Sequence, residues 1–205
     1  YVRSMPRPRI EDAQERLLAA GLQLFARLGT ERVNSNAIAK RARLGIGTFY
    51  KHFEDKHALL RELQSRTLAA IRAARIEALA GAGPEPEDQV PRAIAAVARF
   101  AQSHPEAYRV TYGRERAGAS HRGPVLSEST RPIAEALKRL QSAGRVDPGL
   151  DPELAARAYL AMEVGTLLWW IEYPARASIG DLVATLSRLH PALAAASPVS
   201  RRPAS

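Results

Sequence analysis

Between Arg41 and Lys56 the chain reads RARLGIGTFYKHFEDK, and its polar residues suit the chemistry of holding a phosphodiester backbone. Thr48 and Tyr50 carry hydroxyls that donate to phosphate oxygens or meet base edges, and the threonine methyl suits a thymine methyl. Lys51, His52 and Lys56 set positive or hydrogen-bonding groups along the same track. Gly45 and Gly47 are weak helix formers without side chains, so they leave room where the backbone of a nucleic acid would approach. Upstream, Asn34, Ser35 and Asn36 stand at a second candidate helix N-terminus, where N–H groups and short polar side chains can bind another phosphate.

Other chemistries find no matching constellation. The five histidines (His52, His57, His104, His121 and His190) show no metal-ligand spacing, and no GxSxG, phosphate loop or dinucleotide fingerprint appears. There is no cysteine, which excludes disulfides, thiolate-bound zinc and thiol catalysis together. No catalytic residue, cofactor or metal is therefore expected. A helical enzyme built from scattered residues and a basic binder of anionic membrane surfaces stand as rival readings. Against the membrane, the reading face carries glycine, threonine and tyrosine rather than large apolar anchors. The most apolar run, Ala158 to Tyr173, is shorter than a membrane span and is interrupted by Glu163 and Glu172. A cytoplasmic protein is expected.

The 205-residue chain has a net charge of +9, distributed unevenly. Residues 1–61 hold 12 Lys/Arg against 6 Asp/Glu, while residues 62–205 hold 18 against 15. Two thirds of the excess thus lies in less than a third of the chain, which points to a polyanionic partner for the N-terminal part.

The elements that would position these residues are helical. Hydrophobic residues make up 46% of the chain and aromatics only 6%, a balance that favours helices over sheets. Apolar residues recur at helical spacing through Leu17, Gly21, Leu24, Phe25 and Leu28, and Gly29 supplies a stop. A short helix over Ser35–Ala42, with Asn34 or Ser35 as N-cap, is followed by a turn at Arg43–Gly45 and a two-turn helix over Ile46–Phe53. Phe49 and Phe53 share the inward face of that helix with Leu44 and Ile38 beside it; Gly47 and Lys51 lie opposite. Asp55 caps a long helix running to Leu79. Two short helices joined by a tight turn, with a longer helix in front, form a helix-turn-helix, and the second of the pair enters a major groove.

The stretch Arg16 to Leu60, with LFARLG, AIAKRA, GTFYKHF and DKHALL in order, resembles the DNA-binding domain of TetR-family transcriptional regulators. The resemblance implies backbone contacts from Thr48, Tyr50, His52 and Lys56, and operator-dependent contacts from Gly45, Ile46, Gly47 and Lys51. Two positions depart from the family pattern. Arg43 replaces a turn glycine, which needs a strained backbone or adds a phosphate contact, and Gly45 replaces a capping serine or similar residue.

Beyond Gly81–Asp88, expected to be a loop, helical periodicity resumes at Val90–Ala101, about Val125–Ala143, Leu154–Tyr173 and Ser178–His190, with Asp151 and Pro152 opening the third of these. An all-α architecture follows: a basic arm (1–10), a three-helix helix-turn-helix domain (11–55), a helical domain (56–192) that the resemblance implies is effector-binding and dimerisation, and a disordered tail (193–205). Leu154–Tyr173 is apolar nearly all round, with a small-residue stripe at Ala158, Ala161 and Gly165. With Leu182, Leu186 and Leu189 of the last helix, this stripe makes the candidate dimer interface. Phe100, Tyr108, Tyr112, Met162, Trp169 and Trp170 either line an apolar pocket or pack the core and the dimer. The segment His104 to Ser120 also resembles one in TetR-family regulators of fatty-acid metabolism, where acyl-CoA is the effector. That resemblance implies phosphate contacts from Arg109, Arg114 and Arg116. The expected protein is a homodimeric repressor of a palindromic double-stranded operator, released by a small-molecule effector.

Overall fold

A computed structural model describes residues 10–113 and 122–193. Residues 1–9 of the expected arm, Arg114 and Arg116, and residues 194–205 of the expected tail lie outside them. Among the described residues the fold is helical throughout, with no strand, and falls into two compact units, residues 10–67 with 106–113, and residues 68–105 with 122–193.

In the first unit each helix boundary has a local chemical cause. Helix α1 (Ile10–Leu28) ends at Gly29, whose φ of 82° suits glycine. Helix α2 (Ser35–Arg41) is capped by Asn34, whose Oδ1 accepts from the Ala37 N–H at 2.9 Å. It closes in a Schellman turn, Leu44 N–H donating to Ala39 O and Arg43 N–H to Lys40 O. That turn requires the left-handed region at Arg43, which adopts φ 55° without being glycine. Helix α3 (Ile46–His52) starts at Gly45 without a side-chain cap. Helix α4 (Lys56–Leu79) starts at Asp55, where the Ala58 N–H donates to Oδ1 at 2.7 Å and holds the carboxyl below the usual range.

Leu17, Phe25, Ile38, Phe49, Phe53 and Leu59 are buried together in the core of this unit, with Leu44 packed on its edge. Fully burying such side chains contributes about 1.5–3 kcal/mol each, so the two phenylalanines tie α3 to its neighbours. Gly21 sets the approach of α1 to α4: a Cβ there would stand 2.5 Å from Leu59 Cδ2. Helix α6 (Pro105–Tyr112) belongs to this unit from Glu106 onward.

In the second unit, helix α5 (Pro86–Ser103) begins inside the stretch expected to be a loop. Pro86 occupies its first position, where the missing N–H costs nothing, and Glu87 and Asp88 fill a first turn that favours negative charge. Helix α7 (Arg122–Ser142) ends at Gly144 with φ 69°. Helix α8 (Pro152–Glu172) is capped by Asp151, whose Oδ1 accepts from the Glu153 and Leu154 N–H groups at 2.8 and 3.0 Å. Helix α9 (Ile179–Arg188) carries a reciprocal capping box between Ser178 and Asp181. Helix α7 packs on α8 and α5 on α9, around Leu137 and Ala156 in one cluster and Val90, Ile94 and Leu186 in another.

Candidate functional site

The first unit presents the face read from the sequence. With Phe49 fully buried, the other side of α3 turns outward: Tyr50 is 58% exposed, Ile46, Gly47 and Lys51 are exposed, and Thr48 and His52 are half-buried. The Tyr50 ring stands edge-on to Phe49 with centroids 5.5 Å apart, so a core residue braces an exposed one. A Cβ at Gly45 or Gly47 would meet nothing within 4 Å. The protein's own packing therefore does not call for glycine there, and the room these residues leave is on the outside. Gly45, exposed, sits at the start of α3, and Asn34, Ser35 and Asn36 flank the start of α2, Asn34 and Asn36 exposed and Ser35 half-buried. The Asn34 oxygen is committed to its cap.

One expected residue takes an additional role, and one residue without an expected role supports the site. Lys56, expected only as a backbone contact, donates from Nζ to Thr30 O at 2.8 Å and Glu31 O at 3.4 Å. It thereby holds the loop after α1, with one of its three donors left. Arg16 was not singled out by sequence reasoning. Its Nη2 donates to Ala42 O at 2.7 Å and Arg43 O at 3.2 Å, pinning the turn between α2 and α3. No local signal marks that role, because the partners lie 26 and 27 residues away.

The second unit carries a half-open cavity of about 560 Å3 among α4, α5, α7, α8 and the residues after α9. Leu79, Val90, Ile94, Ile133 and Leu140 give it an apolar wall, and Arg75, Tyr159, Glu163 and His190 also line it. Arg75 Nη2 lies 3.4 Å from Glu163 Oε2. Burial raises the Glu163 carboxyl against the opposing pull of Arg75, and burial with the nearby Glu163 raises the Tyr159 hydroxyl. The His190 ring meets Tyr159 edge-on at 4.3 Å, and burial assisted by Arg75 lowers it to about 4.

None of the seven described residues proposed from the sequence for the pocket lines this cavity. Tyr108 is buried and Tyr112 half-buried in the first unit, their rings 4.8 Å apart, and Arg109 is exposed there. Phe100 stacks on His104 at 4.7 Å. Met162 packs against the Val90, Ile94 and Leu186 cluster. Trp170 is buried and donates from Nε1 to Ala177 O at 2.7 Å, whereas Trp169 is exposed. Arg116, the eighth, lies outside the described residues. One signal for the polar lining was present: Glu163 is a carboxyl in the middle of an apolar helical run, one turn beyond Tyr159.

The expected dimer residues also divide. Ala158, Ala161 and Gly165 are exposed, aligned at helical spacing with exposed Leu154 and Trp169, and Leu189 is exposed as well. Leu182 and Leu186 are buried within the chain. The strict amphipathicity of α9 reflects packing on α5, and those two leucines are unavailable to a partner.

Residues 17–63 match the family described as bacterial regulatory proteins, tetR family. The chain is 25% identical over 163 residues to the HTH-type transcriptional regulator YhgD of Bacillus subtilis (strain 168), covering 78% of this chain and 84% of that protein. Among solved structures it resembles the fatty acid degradation regulator FadR from Bacillus halodurans, with TM-score 0.73, 17% identity, and 93% and 100% of the two chains covered. FadR from Bacillus subtilis in complex with stearoyl-CoA aligns with TM-score 0.70 and 18% identity over 87% and 98%. At these identities the structural likeness is one of fold.

Proposed function

We propose that this chain, whose residues 17–63 match the tetR family of bacterial regulatory proteins, is a cytoplasmic repressor that binds a palindromic operator as a homodimer and is released by a small-molecule effector. The observation that carries the reading is α3: Phe49 and Phe53 anchor it, while Thr48, Tyr50 and Lys51 face outward beside two glycines that no internal packing requires. Asn34, Ser35, Asn36, Gly45, Ile46, Gly47 and His52 complete the contact surface, and Lys56 adds a phosphate contact through its remaining donor.

The exposed row Leu154, Ala158, Ala161, Gly165 and Trp169, with Leu189, supports self-association. Small residues let a second helix approach closely, and exposed large apolar side chains gain from cover. A two-fold dimer presents two copies of α3 to half-sites about one helical turn apart.

The cavity is the proposed effector site. The fold likeness to a protein solved with stearoyl-CoA supports an effector with an apolar body, as does the apolar wall. Helix α4 is continuous from Leu59, Leu60 and Leu63 in the core of the first unit to Arg75 and Leu79 at the cavity. An effector that binds the cavity better in a conformation unsuited to the operator lowers DNA affinity by its differential affinity, typically about 1–3 kcal/mol of coupling.

Selection of bound duplexes from a random library at physiological salt tests the reading. An enriched palindrome bound by two chains is the expected result. Binding without sequence preference, confined to low salt, refutes it.

A further inference from the structure

The polar groups of the cavity are short of acceptors. Arg75 Nε and Tyr159 Oη are buried without a hydrogen-bond partner, and the 3.4 Å contact between Arg75 and Glu163 is long for a charge-assisted bond. His190 Nδ1 accepts from the Ala192 N–H at 3.1 Å, so the neutral ring carries its proton on Nε2 and is a further donor. Burial keeps this histidine uncharged at neutral pH and favours the protonated Glu163 carboxyl. Arg75 is then the fixed charge among these four groups. The other arginine in the lining, Arg139, is exposed.

Resting on the reading of this cavity as the effector site, we infer that it takes a small apolar carboxylic acid as the ionised carboxylate, the head group meeting Arg75, Tyr159 and His190 and the hydrocarbon lying along Val90, Ile94, Ile133 and Leu140. An ionised carboxylate only accepts hydrogen bonds, at about four lone-pair sites, and so answers a group of donors that lack acceptors. A ligand ammonium would face Arg75 and find its carboxyl partner in Glu163 alone, already opposite that arginine. A polyphosphate would require more positive charge than Arg75 and the exposed Arg139 supply. The volume of about 560 Å3 falls within the roughly 300–1,000 Å3 usual for small-ligand sites.

Isothermal titration of the full chain at pH 7 with octanoic acid and 4-phenylbutyric acid, beside octan-1-ol and octanoyl-CoA, tests the inference. At least one acid is expected to bind at one site per chain, tenfold or more tighter than the alcohol and tighter than the thioester. Which acid does so distinguishes an aliphatic from an aromatic source. Arg75→Met is expected to remove the preference for acid over alcohol. Tyr159→Phe is expected to weaken the acid three- to tenfold and leave the alcohol unchanged. Equal binding of alcohol and acid, tighter binding of the thioester, no binding of either acid, or undiminished acid affinity in Arg75→Met each overturns the inference. An acid that binds with this selectivity but leaves operator affinity unchanged supports the ligand class and refutes the effector reading. Operator release by a ligand other than an acid, with neither acid binding, does the reverse.

Discussion

Replacing Arg43 separates two things the wild-type residue combines, a backbone cost and an exposed charge beside the proposed reading helix. Its φ of 55° places an L-residue where the side chain crowds the backbone, at a cost of about 1–2 kcal/mol. Glycine avoids that cost but loses roughly 0.5–1 kcal/mol through the greater freedom of the unfolded chain. Arg43→Gly should therefore stabilise the protein by about 0.5–1 kcal/mol, a rise in melting temperature of roughly 1–4 °C for a chain this size. The Arg16 bonds to the Ala42 and Arg43 carbonyls involve backbone acceptors and persist in the variant. Arg43→Ala is the control, since it removes the same charge and keeps the left-handed cost. Thermal unfolding of the three proteins, with operator affinity measured between 50 and 200 mM salt, separates the effects. Glycine should exceed both alanine and arginine in stability. If the arginine meets a phosphate, both variants should flatten the salt dependence equally, by about one unit of slope. Alanine as stable as glycine would refute the strain argument, and an unchanged salt slope in both variants would refute the phosphate contact.

Tyr50→Phe should weaken operator binding by about 1 kcal/mol, the net worth of a typical hydrogen bond, without loss of stability; unchanged affinity removes the hydroxyl from the contact set. Lys56→Ala should both lower the salt slope by about one unit and destabilise the first unit, because Nζ bonds two carbonyls of its own chain, and a purely electrostatic effect would contradict that second role. Gly21→Ala should cost about 1–3 kcal/mol by denaturant unfolding, since its Cβ would collide with the fully buried Leu59 side chain. The cavity should make stability depend on pH in two directions. His190 is lowered to about 4 from an ordinary 6.5, so its contribution is present above 6.5 and lost as pH falls towards 4. The Glu163 carboxyl is raised, so its contribution is present below its ordinary value of 4.5 and lost as pH rises. Unfolding profiles of His190→Asn and Glu163→Gln should flatten the acid and the rising-pH limbs respectively.

The parts legible in the sequence are those governed by neighbours within a few residues. Asn34, Asp55 and Asp151 cap helices because a short side chain reaches an N–H two or three residues on. Gly29 and Gly144 end helices because their own dihedrals allow it, while the turn at Arg43 stands out through the resemblance, which implies a glycine at that position. The inward pair Phe49 and Phe53 follows from helical spacing alone, as does the outward face opposite. The start of α5 at Pro86 was less legible, because proline and acidic residues mark both loops and first turns. What covers an apolar face is a different matter. Amphipathicity shows that Leu182 and Leu186 must be buried, but whether by α5 of the same chain or by a second subunit is decided by how the helices pack. The cavity belongs to the same class. Arg75 and Glu163 stand 88 residues apart, and Tyr159 and His190 meet only because α8 and the chain after α9 are brought together. The burial of Tyr159 and Glu163 beside half-buried Arg75 and His190, and with it the acceptor-poor chemistry of that site, arises from tertiary packing.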